Sequence, residues 1–248
     1  MTHSFLLIGQ SNMAGRGFIS EARDVDTSHI YTLRNGRWRK MFRPIHSDRA
    51  FAGVSLAESF AEAYAKKYGV DVGLICCADG GTSLDQWQRG ELLYDNAVAQ
   101  ARLAARSSTI VGVLWHQGET DCARGLWDTY GERLEKMMRS LREDLGLDTV
   151  PFILGEIGDY LAECPISENL KHYGRINEQL RTVAASNENV GCASARGLTA
   201  NPDLLHFSAE SLYELGLRYF REFEKLYTFE QTSQEKEDGK KETHLESL

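Results

Sequence analysis

The chain has 248 residues, 42% of them apolar and 26% charged, which suits one large soluble domain with a real core. A net charge of −8 argues against a general nucleic-acid partner, and no apolar run is long enough for a membrane span. The start lacks a basic region and its apolar run, Phe5 to Ile8, is too short for a signal peptide, so a cytoplasmic protein with no membrane partner is expected. The five cysteines have no framework spacing; Cys76 and Cys77 are adjacent inside an apolar run and read as reduced core residues.

The first predicted strand runs through Leu6, Leu7 and Ile8 and stops at Gly9, with Gln10, Ser11 and Asn12 directly after it. A buried strand ending at a glycine turns sharply, lifts a serine off the sheet edge and leaves backbone N–H groups facing whatever binds there. A long connection follows, Arg16 to Gly53. Within it Ile30 to Leu33, then Asn35-Gly36, then Trp38 predict a tight hairpin. Its Arg34, Arg37, Arg39, Lys40 and Arg43 read as a solvated face in preference to a substrate wall.

Ser55 followed by Glu58 predicts a capping box, and the helix it opens stops at Gly69. The second strand is Val70 to Ala78, followed by Asp79-Gly80-Gly81-Thr82-Ser83 and a helix from Leu93 to Ala105. The third strand, Ile110 to Trp115, runs into His116-Gln117-Gly118-Glu119-Thr120-Asp121. A helix from Trp127 to Leu145 carries Leu134, Met137, Met138 and Leu141 at helical spacing, which predicts core. Pro151 to Leu154 is the fourth strand, Tyr173 to Ala185 a helix, and Asn189 to Ala193 the fifth strand. Asn201-Pro202-Asp203-Leu204-Leu205-His206 comes next, and Ser208 caps a last helix that ends near Tyr227. The domain is expected over residues 1–228, with a polar, disordered tail over 229–248.

Strands alternating with helices predict an α/β fold around a mainly parallel, five-stranded sheet. In such a sheet the strand C-termini share one edge, where ligands bind. That edge gathers Gln10-Ser11-Asn12, Gly80-Gly81-Thr82, His116 to Glu119, and Asp203 to His206. A hydroxyl, an imidazole, a carboxylate and glycine amides are the parts of acyl transfer. His206, with Asp203 three residues before it, is the better candidate base. His116 competes, but it comes straight off a strand and reads as structural. His116, Glu119, Asp121 and Cys122 match no metal-ligand spacing, and the glycines near Ser11 do not form a phosphate loop. No metal or cofactor is expected.

These motifs together resemble the sialate O-acetylesterase and acetylxylan esterase branch of the SGNH (GDSL-like) hydrolases. The resemblance spans nearly the whole domain in order. It implies a flavodoxin-like three-layer α/β/α sandwich and removal of O-acetyl groups from a small acetylated sugar or oligosaccharide. By the same resemblance, Ser11 is the nucleophile, His206 the general base and Asp203 its partner. The Ser11 amide, a glycine amide from Gly80 or Gly81, and the Gln117 side chain would form the oxyanion hole. Gln10, Asn12, His116 and Glu119 would support the site or touch substrate, with Glu119 fixing Gln117. Gln117→Ala would then impair turnover more than folding. Trp87 and Trp115 lie near enough to that edge to stack on sugar, with at least one of the two expected in the core. Two alternatives stand beside this one: a non-catalytic carbohydrate-binding protein on the same fold, and an SGNH lipase, thioesterase or arylesterase.

Overall fold

The computed structural model describes residues 2–229. Seven strands form one sheet: β1 (His3–Gly9), β2 (Ile30–Arg34), β3 (Arg37–Lys40), β4 (Val72–Cys76), β5 (Thr109–His116), β6 (Phe152–Gly155) and β7 (Val190–Ala193). Their spatial order is β3-β2-β4-β1-β5-β6-β7, parallel throughout except for β3. The expected five strands are all present. The count rises to seven because the hairpin does not stand apart: β2 pairs in parallel with β4, Ile30 opposite Val72, and carries β3 with it as an antiparallel edge. Asn35 and Gly36 both have positive φ, 50° and 71°, as a two-residue turn between twisted strands requires. Arg37, Arg39 and Lys40 are exposed and form a solvated face, whereas Arg34 and Arg43 are partly buried, Arg34 donating to the Pro44 carbonyl and Arg43 to Glu58.

The helices are α1 (Ser11–Ala14), α2 (Leu56–Tyr68), α3 (Leu92–Ala104), α4 (Glu119–Ala123), α5 (Tyr130–Leu145), α6 (Tyr173–Ser186) and α7 (Ala209–Leu226). β1 is apolar on both sides because both faces of the sheet are covered. Phe5 and Leu7 pack with Phe60 of α2 and with Leu212 and Phe223 of α7. Leu6 and Ile8 face the opposite layer, with Tyr94 of α3, Leu134 and Met138 of α5, and Ile176 of α6. The result is a three-layer α/β/α sandwich. The predicted capping box of α2 is present, with the Ser55 amide donating to Glu58 Oε1 at 3.0 Å and the Ala57 amide to Ser55 Oγ at 3.3 Å. All five cysteines are free, and burial pushes the Cys77 thiol up to about 12. Trp87 and Trp115 are fully buried and meet edge to face at 5.6 Å, so neither offers a surface to a sugar.

Phe229 stacks on Tyr68 at 4.9 Å; the rest of the expected tail lies outside the described residues. Among the described residues no helix is long and apolar enough to cross a membrane.

His46 is buried in the connection after the hairpin. Burial lowers its pKa to about 4, against the pull of Asp48, with Arg16 and Arg34 adding to the lowering. A histidine that is protonated more easily unfolded than folded contributes stability above the unfolded pKa, and loses it as pH falls toward the folded one. Between pH 7 and pH 5 this one group should remove roughly 2 kcal/mol. Denaturant unfolding of wild type and His46→Leu at both pH values checks it. The variant should lose less stability over that range by about that amount, and equal losses would exclude His46 as a source.

Candidate active site

Counting only the five expected strands, their order is 2-1-3-4-5, and the chain reverses direction across the sheet between β1 and β5. A crevice opens there beyond the strand ends. β1 stops at Gly9 because the backbone of β5 leaves room for nothing larger: φ is +125°, and a Cβ would lie 2.2 Å from the His116 carbonyl oxygen. The Gln10 amide then donates to that oxygen at 2.9 Å. The chain winds into α1, where the Met13 and Ala14 amides close on the Gln10 carbonyl. Ser11 stands in the first turn. Its amide has no acceptor among the described residues, and the residue borders a cavity of about 460 Å³.

Asn12 ties this turn to two other segments. Its Nδ2 donates to Glu119 Oε1 at 2.5 Å, and its Oδ1 accepts from the Phe207 amide at 3.1 Å. That second bond fixes the loop carrying His206. There Asp203 Oδ1 accepts the Leu205 and His206 amides, both at 3.0 Å, and Oδ2 accepts from His206 Nδ1 at 2.7 Å. Burial alone would raise the Asp203 carboxyl, but the two amides and the imidazole outweigh it and hold it below its ordinary value. With Nδ1–H on the carboxylate, Nε2 is the ring's open acceptor, and His206 borders the same cavity as Ser11. Leu204, between the two, has φ +53°, a strained conformation for a leucine that the surrounding hydrogen bonds maintain.

The glycine pair divides cleanly. The Gly80 amide donates to Asp48 Oδ2 at 2.9 Å, whereas the Gly81 amide has no acceptor among the described residues. Asp48 is held in turn by Arg16, Nη2 to Oδ2 at 2.6 Å and Nη1 to Oδ1 at 3.3 Å. A Cβ on Gly80 would sit 2.4 Å from Arg16 Nη2, so the close approach needs glycine. Neither Arg16 nor Asp48 carries a spacing signal: they are joined across the long connection only by the fold.

Gln117 departs from expectation. It is fully buried, and its two amide protons go to Asp121 Oδ2 at 2.6 Å and to the Thr82 carbonyl at 3.1 Å. Tyr130 closes its other side, donating to the Gln117 backbone carbonyl at 2.7 Å. No proton is left to aim at an oxyanion. Asp121, not Glu119, fixes Gln117. Asp121 also accepts from the Leu84 amide and from Arg133. Of the two glutamines, Gln10 is the one that borders the cavity. Its Oε1 accepts the Thr120 amide at 3.3 Å, and its Nε2 has no acceptor among the described residues.

His116 is fully buried and off the cavity. Tyr219 donates its hydroxyl to the Trp115 carbonyl at 2.7 Å, so it accepts from His116 Nδ1 at 3.0 Å. His116 Nε2 lies 3.7 Å from Glu119 Oε1. Burial would raise the Glu119 carboxyl, but His116 and Asn12 hold it below its ordinary value. Phe51, Ala123, Ile166, Leu170 and Leu205 add apolar wall beside Arg16, Glu119 and Thr120, and the exposed Arg49 and Arg124 also line the cavity. Phe42 and Trp38 take no part in it; Phe42 lies under Arg34, and Trp38 donates to Ser107.

A serine, an imidazole held by a carboxylate, and unpaired donors around one cavity are suited to acyl transfer. The family model of carbohydrate esterases described as sialic acid-specific acetylesterase matches residues 1–225. The chain belongs to that family. A probable carbohydrate esterase of Arabidopsis thaliana is 30% identical over 237 residues, covering 86% of each chain. The solved structure of that plant protein superposes with a TM-score of 0.78, over 91% of this chain and 99% of the other. A carbohydrate acetylesterase from Xanthomonas citri gives 0.65 at 17% identity, over 91% of this chain and 56% of the other, and NanS gives 0.69 at 15%, over 90% and 97%. These two carry the fold alone. As a member of the family, the chain is a carboxylic ester hydrolase of the carbohydrate acetylesterase type.

Proposed function

We propose that this esterase removes O-acetyl groups from a carbohydrate through an acyl-enzyme on Ser11. The observation that carries the reading is the Asp203–His206 bond, which leaves Nε2 as the open base on a cavity that also holds Ser11. In this reading Ser11 Oγ attacks the acetyl carbonyl carbon while His206 Nε2 takes its proton. Negative charge moves onto the carbonyl oxygen, which accepts from the Ser11 amide, the Gly81 amide and Gln10 Nε2. The carbon–oxygen bond to the sugar breaks and His206 returns the proton to the departing sugar hydroxyl. Water then attacks the acetyl-serine with His206 again as base, releasing acetate and restoring Ser11. Asp203 stays ionised throughout and supports the imidazolium. Glu119 and Asn12 hold the serine turn against the histidine loop, which keeps nucleophile and base in register.

The acyl-enzyme is open to a direct test. Two acetate esters with different leaving groups are hydrolysed in the presence of methanol. A common intermediate makes methyl acetate and acetate form in one ratio from both, and acid quench during turnover yields an acetylated peptide containing Ser11. A ratio that follows the leaving group, with no acetyl on that peptide, would replace the acyl-enzyme by direct attack of water.

A further inference from the structure

A second cavity, of about 410 Å³, adjoins the first. The two share Arg16, Phe51 and His206 as a common wall. The far side of the second is made by Phe18, Ile19, Ser20, Asn201 and Asp203. Phe18, Ile19 and Phe51 are 45%, 50% and 72% exposed, and they are three of the six large hydrophobic side chains left exposed among the described residues. Their gathering beside a catalytic histidine is not a feature of an ordinary solvated surface.

One polar atom in this wall has no partner. Asn201 Nδ2 donates to the Arg16 carbonyl at 2.9 Å, but Asn201 Oδ1 is buried without a donor. A buried acceptor without a donor is costly, and a ligand hydroxyl would relieve it only with a small turn of the amide toward the cavity. The charges also select. Arg16 is already neutralised by Asp48, whereas the half-exposed Asp203 carboxylate would repel an anion. Apolar faces, one buried unpaired acceptor behind them and, among the described lining residues, no free cation fit a neutral sugar ring, which offers C–H faces to aromatic and aliphatic side chains.

We propose that this second cavity is a subsite for a neutral sugar ring linked to the acetylated one. The preferred substrate is then an acetylated glycoside of two or more rings, not a free monosaccharide. The inference rests on the esterase reading for the position of the ester: His206 must reach the departing sugar oxygen, and His206 borders both cavities. A ring joined to the departing sugar has the second cavity beside it.

Binding tests the subsite without relying on turnover. Calorimetry on Ser11→Ala, which cannot consume the ligand in this reading, compares two pairs. One is O-acetylated methyl xyloside against O-acetylated methyl xylobioside, and the other is O-acetylated sialic acid against the same residue linked to galactose. In at least one pair the two-ring member should bind about tenfold tighter. Phe18→Ala and Ile19→Ala, made together in the same protein, should remove that gain. Both side chains are exposed, so the fold tolerates their loss. Equal affinities within both pairs, or a gain that survives the Phe18 and Ile19 changes, would overturn the subsite. Failure of the esterase reading has a different signature: wild type that binds these sugars and releases no acetate from any of them.

Discussion

Ser11→Ala and His206→Ala are each expected to lower kcat for a chromogenic acetate by ~10⁴- to 10⁶-fold, and the double variant by no more than the worse single one. The reason is that hydroxyl and imidazole perform one step together. Without the base, Oγ keeps its proton; without the hydroxyl, the base has nothing to activate but water. The residual rate then comes from the oxyanion donors and from binding, which both variants retain. Neither change should disturb the fold, since among the described residues Ser11 makes no side-chain hydrogen bond, and the His206 loop is held separately by Asn12, Asn201 and Asp203. Circular dichroism and thermal melts on the same samples check that. Losses that multiply in the double variant, or a Ser11→Ala protein within tenfold of wild type, would separate the two residues and remove the serine from the chemistry.

The sheet was legible because it is buried on both faces. β1 and β4 to β7 appear as short apolar runs bounded by glycine or polar turns, and Ser55, Glu58 and Gly69 mark the ends of α2. The hairpin was legible through Asn35-Gly36, but its attachment was not. Pairing β2 with β4 is a parallel contact between residues as far apart in the chain as Ile30 and Val72, and no local pattern encodes it. The single turn α1 escaped for a related reason, since four residues carry no period. The proximity of Ser11, Asp203 and His206 was legible because a strand end and a three-residue spacing limit where they lie. The resemblance placed Gln117, not Gln10, in the oxyanion hole, and nothing in the residues themselves separates the two. Gln10 and Gln117 each follow a strand end, and what separates them is orientation. Gln117 is claimed by Asp121 four residues on, through the turn at Gly118, while Gln10 is steered by the amide of Thr120 from another strand's loop. Trp115 failed as a sugar platform for the same reason: its ring meets Trp87 in the core, and strand parity at the sheet edge is set by pairing, not composition.

That distinction between the glutamines makes the second large prediction. Gln10→Ala should lower kcat by ~10²- to 10³-fold, with KM and thermal stability little changed, because a donor that engages only the developing oxyanion acts on the transition state and not on the ground state. Among the described residues its side chain makes one hydrogen bond, the 3.3 Å bond from Thr120, which is long and costs little to lose. Gln117→Ala should behave in the opposite sense. It removes a fully buried side chain and leaves the Thr82 carbonyl without its donor; Asp121 keeps the Leu84 amide and Arg133 but loses its shortest hydrogen bond. A buried acceptor stripped of its partner, with a cavity beside it, costs about 2–4 kcal/mol. The expected result is a clear fall in Tm, with kcat of the folded fraction falling less than in Gln10→Ala. Gln10→Glu sharpens the comparison, since it places an anion where negative charge develops and should be worse than alanine. Melting curves and initial rates on the three variants decide the matter. If Gln117→Ala melts like wild type and loses turnover while Gln10→Ala keeps it, the donor is Gln117, and its amide must leave both Asp121 and Thr82 when substrate binds.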